Sequence, residues 1–429
     1  MRRRSMPPGL IIILCFLCVI GLGSLLLSFP FAQTGAVRLS YLDVLFTATS
    51  ATCVTGLTVA STAEAFSGFG QAVLLCLIQI GGLGAAALGI LVTMAVRRHI
   101  SLKDAVLLKE SWNIVSLSDL YHLIRRVLLL TISFEAVGAA LSLCFFARHM
   151  PFGRAVWVSV FHSVSAFNNA GFDLVGPNSL TVYGDAPMLN LVTIGLILFS
   201  GLGYLVLIDL ITPHHGFRQF SLQSKVVLCT TTLLLVGGTL LLRLTEHISW
   251  MGALFQSVTC RTAGFCTWDL TQFSPAGLMV MCLLMFVGAS PGSTGGGTKT
   301  TTLFALLLAL RSAATGRPAQ AFRRRVPDEL ISRAFVVSFS GALVLFVCTL
   351  LLSVLNPALD FMTVLFESVS AFSTCGLSLS ATPLLTSASH IILIVTMFIG
   401  RVGPLTIATL WAYRCTPAFR YTEESFTIG

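Results

Sequence analysis

Apolar residues occur along this chain in long runs, such as Gly9–Phe29 and Ile391–Leu410. A helix needs about 20 residues to cross the ~30 Å hydrocarbon core of a bilayer. The pattern therefore predicts an all-α membrane protein with eight transmembrane spans. The predicted spans lie at about 9–29, 70–96, 127–147, 188–211, 226–243, 275–310, 334–355 and 388–413.

Between the members of each pair of spans lies a moderately apolar stretch that is too short to cross the bilayer and ends in a glycine. The stretches read LFTATSATCVTGL, VFHSVSAFNNAGF, LFQSVTCRTAGF and LFESVSAFSTCGL, and they end at or just after Gly56, Gly171, Gly264 and Gly376. The leading Phe precedes the glycine by ten residues in three copies and by nine in the third. Such internal repetition indicates a repeat architecture.

The repetition predicts four covalently linked helix–pore loop–helix repeats around a central pore. We divide the chain into residues 1–98, 99–214, 215–320, where the second span is interrupted, and 321–429, which includes a C-terminal tail. Each Ser/Thr-rich stretch is interpreted as a re-entrant half-helix, because non-helical backbone at membrane depth must line a cavity or be buried in protein. The partially negative C-terminal end of such a half-helix favours cations near the axis.

A ring of carbonyl oxygens can replace the water around a cation, and glycine suits it because it turns a carbonyl inward without filling the axis. A single glycine could equally be a turn residue, whereas four in register favour a filter. The predicted oxygen donors of a potassium filter are Val54, Thr55, Gly56, Asn169, Ala170, Gly171, Thr262, Ala263, Gly264, Thr374, Cys375 and Gly376.

A second small-residue segment, MFVGASPGSTGGGTKTTTLF, interrupts the sixth span. Its glycines and proline disfavour a continuous helix. We therefore predict a loop that obstructs the pore beneath the filter. A phosphate-binding loop is the alternative, but Thr298 precedes Lys299, so the GK[ST] pattern fails. The predicted gate comprises Ser290, Gly292, Ser293, Thr294, Gly295, Gly296, Gly297, Thr298, Lys299 and Arg401.

Three charges lie in or next to apolar surroundings, where they must be paired or face water. Arg401, near the centre of the last span, is expected to contact carbonyls of the gate loop, and Lys299 could share that role. Glu135 is either a structural counter-charge between helices or part of the ion path, and we favour the structural role.

Only 10% of the residues are charged, against roughly 25% in an average soluble protein. The net charge of +9 does not predict nucleic-acid binding, because the basic residues lie in short stretches between spans. Six Lys and Arg lie in 97–126 and six in 311–333, whereas 30–69 holds only Arg38. By the positive-inside rule both termini are cytoplasmic. The leading MRRR and its apolar run are interpreted as a retained span, because no cleavage site follows.

The twelve cysteines are scattered through mostly apolar segments. Cys15 and Cys18 have C-x-x-C spacing but lie in the first apolar run, where packing is a better explanation than a redox or zinc pair. No Ser/His/Asp set recurs at a common depth, so we predict no enzyme and no cofactor in this chain. A carrier with alternating access, which also uses broken helices, remains the alternative to a channel-like pore.

Taken together, the four pore segments, SPGSTGGGTK and FIGRVGPLT resemble the Trk/Ktr/HKT superfamily of potassium transporters. Over nearly the whole chain they are closest to the KtrB group, the membrane subunits of bacterial Ktr systems. The resemblance implies filter glycines at Gly56, Gly171, Gly264 and Gly376, with potassium preference because the first is not serine. It also implies Ser290–Lys299 as the gating loop with Arg401 below it.

The same resemblance implies a homodimer in the bacterial cytoplasmic membrane, each protomer with its own pore. It implies a KtrA-like cytosolic ring of nucleotide-binding regulatory subunits, for which 97–126, 311–333 and the C-terminal FRYTEESFTIG are docking candidates. Sodium often stimulates uptake in such systems, and the kinetics could be those of a channel or of a symporter. Cys53, Cys260 and Cys375 would bring thiols into or beside the filter.

Overall fold

The computed structural model describes residues 8–84, 120–176, 179–213 and 216–403. Several predicted features extend beyond these ranges. The end of the second span, the basic segment 97–119, the end of the last span and the C-terminal tail lie outside the described residues.

Each of the four repeats contains a long outer helix, a short helix and an inner helix, in that order. The outer helices are Pro8–Ser28, Leu120–Phe146, Leu222–Thr245 and Asp328–Leu355. The short helices are Tyr41–Thr52, Phe152–Phe167, Trp250–Thr259 and Phe361–Ser373. The inner helices are Gly68–Leu83, Pro187–Leu202, Pro275–Phe286 and Ser387–Val402. The predicted all-α architecture of helix–loop–helix repeats is therefore confirmed.

Smaller elements connect these helices. Tyr204–Ile211 continues the second inner helix, Thr300–Thr315 follows the third, and Thr62–Ala65 forms a single turn. The two strands Gln320–Ala321 and Arg324–Arg325 pair antiparallel in a hairpin. Single 3₁₀ turns lie at Pro30–Ala32, Thr181–Tyr183, Phe217–Gln219, Leu270–Gln272 and Thr382–Leu384.

The four outer helices, taken from Gly9 in the first and from Ile124 in the second, are long and apolar enough to cross a membrane. They also expose large apolar side chains, including Leu233, Phe335 and Phe339, each more than 60% exposed. Exposed apolar surface of this extent is typical of a lipid-facing wall. Within the described residues the inner helices are shorter, so the count of eight spans stays a prediction.

The short helices lie inside the ring of longer helices. Each short helix is held there by the leading Phe of its repeated stretch, whose side chain is buried in the core. A buried Phe side chain contributes about 1.5–3 kcal/mol of stabilisation. These anchors, each at most 1% exposed, are Phe46, Phe161, Phe255 and Phe366.

Three inner helices end at a glycine whose backbone is left-handed. The φ angles of Gly84, Gly203 and Gly403 are 88°, 90° and 90°, a conformation that side chains disfavour. At Gly203 the chain bends by 101° between Pro187–Leu202 and Tyr204–Ile211. The predicted span at 188–211 is therefore a pair of helices with a bend that the sequence did not indicate. The predicted interruption of the sixth span is present after Phe286.

Candidate functional site

The four glycines at the ends of the repeated stretches meet around one axis. All four have positive φ, between 70° and 95°, and each lies against the carbonyl oxygen of the next repeat. A Cβ on Gly56 would lie 2.5 Å from Ala170 O, on Gly171 2.8 Å from Ala263 O, on Gly264 2.5 Å from Cys375 O, and on Gly376 it would meet Thr55 O. The cycle closes from the fourth repeat to the first, so only residues without a side chain fit there.

Two residues before each glycine, a second residue also has positive φ. A non-glycine residue in this region is uncommon and costs of order 1–3 kcal/mol. The residue between the strained residue and the glycine has negative φ, so the sign of φ alternates along the segment. This alternation turns successive carbonyl groups to one side, as a carbonyl-lined ion site requires. The strained residues are Val54 at 56°, Asn169 at 57°, Thr262 at 73° and Thr374 at 51°.

The turn that joins each short helix to its glycine differs in one repeat. In three repeats the residue before the glycine donates to a carbonyl five positions back, and in the third repeat only four positions back. The third stretch is one residue shorter than the others, and its tighter turn accounts for that difference. Gly264 can therefore join the ring with the other three glycines. The bonds are Thr55 N to Ser50 O (2.7 Å), Ala170 N to Ser165 O (2.8 Å), Cys375 N to Ser370 O (2.9 Å) and Ala263 N to Thr259 O (2.9 Å).

Polar side chains at the ring lack protein partners. The buried hydroxyls of Thr55, Thr262 and Thr374 have no hydrogen-bond partner among the described residues. An unpartnered buried polar group is costly, of order 1–3 kcal/mol. These orphaned oxygens fit a site whose partner is a cation or its hydration water.

The loop between the halves of the sixth span packs against the inner side of this ring. A Cβ on Gly295 would collide with Thr262 Oγ1, and one on Gly296 with Thr374 Oγ1. Thr294 Oγ1 lies 3.4 Å from Phe167 O, at the end of the second short helix. Small residues therefore allow the loop to lie directly beneath three of the four repeats.

Two cationic side chains hold the loop. Lys299 Nζ donates to Gly295 O at 2.7 Å and to Gly296 O at 3.3 Å. Arg401 donates to Thr294 O and, on the opposite side, to Gly81 O of the first inner helix. The expected contact of Arg401 with loop carbonyls is present, whereas its bond to the first repeat was not anticipated.

The remaining loop residues bind one another and the second repeat. Gly292 O accepts from Tyr204 N at 3.0 Å, and Ser290 N donates to Gly201 O at 3.1 Å. Within the loop, Ser290 also accepts from other hydroxyls. These bonds are Ser293 Oγ to Ser290 O (2.6 Å) and Thr300 Oγ1 to Ser290 Oγ (3.0 Å). In addition, Thr298 Oγ1 donates to Phe286 O, and Gly297 has a φ of 68°.

On the side of the ring opposite the loop, the four glycines line an open cavity of about 640 Å³, which we call the outer cavity. Three acidic residues, Glu64, Asp173 and Asp269, line it, and no Lys or Arg does among the described residues. A cavity lined by one sign of charge concentrates counter-ions. The sequence reasoning missed these carboxylates, although Asp173 and Asp269 each follow a filter glycine within five residues.

Asp173 lies in the loop after the second glycine, outside the spanning helices. Its carboxylate accepts from Val175 N at 3.1 Å and Gly176 N at 3.4 Å. Burial nevertheless raises the pKa of this carboxyl to about 6, because desolvation disfavours the charged form. Asp173 is therefore charged at neutral pH and loses its charge in mildly acidic medium.

Two other sequence features have local partners. Cys375 Sγ lies 3.4 Å from Thr259 O and 3.5 Å from Cys260 O, so this thiol packs against the third short helix rather than facing the axis. Glu135 accepts from Asn168 Nδ2 at 3.0 Å. That bond joins the second outer helix to the second short helix, which supports the structural interpretation of Glu135.

Comparisons with known proteins agree with this architecture. The profile of the family TrkH, described as cation transport protein, matches residues 5–416. The Ktr system potassium uptake protein B of Bacillus subtilis is 36% identical over 99% of this chain and 97% of its own length. The potassium/sodium uptake protein NtpJ of Enterococcus hirae is 35% identical over 100% of this chain and 98% of its own length.

A solved structure has the same fold. The crystal structure of the potassium transporter TrkH from Vibrio parahaemolyticus aligns with a TM-score of 0.74 at 20% identity. The alignment covers 95% of this chain and 86% of that one. Given the match along nearly its whole length, the chain belongs to the TrkH family of cation transport proteins.

Proposed function

We propose that this chain mediates selective potassium uptake across the bacterial cytoplasmic membrane. The observation that carries the proposal is the closed cycle of four glycines, each against the carbonyl of the next repeat. A ring of oxygens at the floor of an acidic cavity suits a cation that sheds its water. The names of the relatives, which are uptake proteins for potassium or for potassium and sodium, support the choice of ion.

In this proposal a potassium ion collects in the outer cavity and then exchanges water for backbone oxygens. One ring of donors lies at the carbonyls of Thr55, Ala170, Ala263 and Cys375, one per repeat. The membrane potential drives inward movement with about 2.3 kcal/mol per charge per 100 mV. No covalent chemistry is needed, since the ion only changes its ligands.

The loop Ser290–Lys299 acts as the gate. With the loop against Thr262 and Thr374, the inner end of the path is obstructed. Opening requires the loop to move, and Arg401 and Lys299 then lose their bonds to its carbonyls. These bonds to charged donors, about 1.5–3 kcal/mol each, set the closed state that a regulatory event must overcome.

We further propose a homodimer with both termini cytoplasmic and a KtrA-like cytosolic ring that controls the gate. The name of the Bacillus subtilis relative, protein B of a Ktr system, supports a system of more than one component. The exposed basic hairpin around Arg324 and Arg325 is a candidate contact for the ring. The name of the Enterococcus hirae relative supports a test for sodium stimulation.

Uptake of rubidium by the purified chain in liposomes, with the interior negative, tests the proposal. We expect uptake that potassium competes away, and a change in rate when sodium is added shows sodium coupling. No alkali-ion flux would contradict the function. Saturable exchange of an organic solute instead would favour the alternating-access carrier.

A further inference from the structure

A fully buried carboxylate lies behind the ring of glycines in the fourth repeat. Glu367 follows the anchoring Phe366 on the short helix and is 0% exposed. Buried carboxylates are rare unless they are paired or hydrogen-bonded. The same position of the other repeats holds uncharged or weakly basic side chains, namely Thr47, His162 and Gln256. The fourth repeat is therefore the only one with an acid there.

Both oxygens of Glu367 bind the segment that follows the filter glycine. Oε1 accepts from Ser378 Oγ and from Leu379 N, the latter at 3.2 Å. Oε2 accepts from Thr382 Oγ1 at 2.8 Å. Ser378 lies two residues after Gly376 and lines the outer cavity. The carboxylate thus ties the short helix to the backbone just outside the filter.

Within the described residues, no equivalent side chain of the other repeats makes three hydrogen bonds to the segment after its glycine. Thr47 Oγ1 binds Asp43 O of its own helix at 2.8 Å. His162 Nε2 bonds to Thr193, on the inner helix, at 2.9 Å. Gln256 Nε2 makes one long bond, at 3.5 Å, to the Sγ of Cys266, two residues after Gly264, and its Oε1 has no partner among the described residues.

The donor set suits an ionised carboxylate, which accepts hydrogen bonds and donates none. No ion pair of Glu367 occurs within the described residues. Hydrogen bonds to a charged acceptor are shorter and about twice as strong as neutral ones.

We propose that Glu367 is a positioning residue that holds the outer end of the fourth filter segment and thereby sets the preference for potassium over sodium. Selection of the larger ion requires that the oxygens keep their spacing when a smaller ion arrives. The clamp on Ser378 and Leu379 resists such a collapse on one side of the ring. This inference rests on the proposed potassium uptake.

The test uses the full-length protein in liposomes and compares how potassium and sodium compete with rubidium uptake. Glu367→Gln replaces one acceptor oxygen by an amide that donates, so the hydroxyl on that side must turn from donor to acceptor and the clamp is weakened. We expect about a tenfold loss of potassium-over-sodium discrimination. The conservative Glu367→Asp, which keeps the charge, should recover part of it. Thr47→Val, at the same repeat position, is the matched control and should discriminate like the unmodified protein.

If the Glu367 variants do not fold, the residues that donate hydrogen bonds to Glu367 can be changed instead. The double variant Ser378→Ala with Thr382→Val removes two donors and leaves the carboxylate in place. It should also lose discrimination by several-fold. Unchanged discrimination in this variant, or in a folded Glu367→Gln protein, would overturn the inference. If the unmodified protein itself carries no rubidium, the proposed function has failed instead.

Discussion

The two sides of the glycine ring differ in both space and charge. The outer side is an open cavity of about 640 Å³ lined by three carboxylates. The inner side is filled by the loop Ser290–Lys299, whose carbonyls accept hydrogen bonds from Lys299 and Arg401. The cavity side of the ring therefore carries carboxylates, whereas the loop side carries the cationic side chains of Lys299 and Arg401.

This difference suits the two tasks of the proposed function, ion selection and closure of the path, which lie in different elements. In the proposed function, the ring discriminates between ions through backbone spacing, and the loop obstructs the path while Lys299 and Arg401 bind its carbonyls. The two elements meet where Gly295 and Gly296 contact Thr262 and Thr374 and where Thr294 contacts the end of the second short helix. Changes in the ring should therefore alter selectivity with little effect on leak, and changes in the loop should do the reverse.

The strongest test of this separation is Gly264→Ser. Gly264 has a φ of 81°, and a Cβ there would lie 2.5 Å from Cys375 O. Strain of about 1–3 kcal/mol should raise the rubidium concentration for half-maximal uptake by about 100-fold at most. Gly237→Ser is the control, because a Cβ at Gly237 meets no described atom within 4 Å. Unchanged uptake by Gly264→Ser at low rubidium would argue against the filter.

Arg401→Ala should have a smaller effect. It should change the leak of rubidium through the protein and not the affinity for rubidium. This change leaves Thr294 O and Gly81 O without their charged donor. Rubidium efflux from loaded liposomes should rise by about tenfold while potassium-over-sodium preference stays. Arg333→Ala, which removes an exposed arginine paired with Glu329, should leave efflux unchanged. No rise in efflux with Arg401→Ala would contradict the gate.

The smallest effect should come from Asp173→Asn in the outer cavity. Because the pKa of Asp173 is raised to about 6, its carboxyl is charged at pH 7 and neutral at pH 5. Uptake at low potassium and low salt should fall about threefold between these pH values. In Asp173→Asn it should already be low at pH 7 and vary less with pH. The same pH dependence in both proteins would exclude Asp173 as its cause.

The sequence was most informative where the signal is local and repeated. Each filter glycine follows a Ser/Thr-rich stretch with an anchoring Phe, and both parts can be read from one segment of chain. The gate loop was also recognisable, because the density of glycine within Gly288–Gly297 excludes a helix.

Features that depend on distant contacts were missed. The bend at Gly203 and the helix ends at Gly84 and Gly403 lie in apolar runs, where hydropathy does not mark the residue at which a helix ends. The second partner of Arg401, Gly81 O, lies more than 300 residues away. The clamp of Glu367 needs Ser378 and Thr382 folded back over the short helix, which composition does not reveal.

Because a single polypeptide supplies all four quarters of the ring, a point mutation changes only one of them. The cycle from Gly56 through Gly171 and Gly264 to Gly376 is closed by four different residues, Ala170, Ala263, Cys375 and Thr55. In an assembly of identical subunits the same mutation would appear four times at once. Ion preference in this chain can therefore drift in small evolutionary steps, each tolerated by three unaltered neighbours.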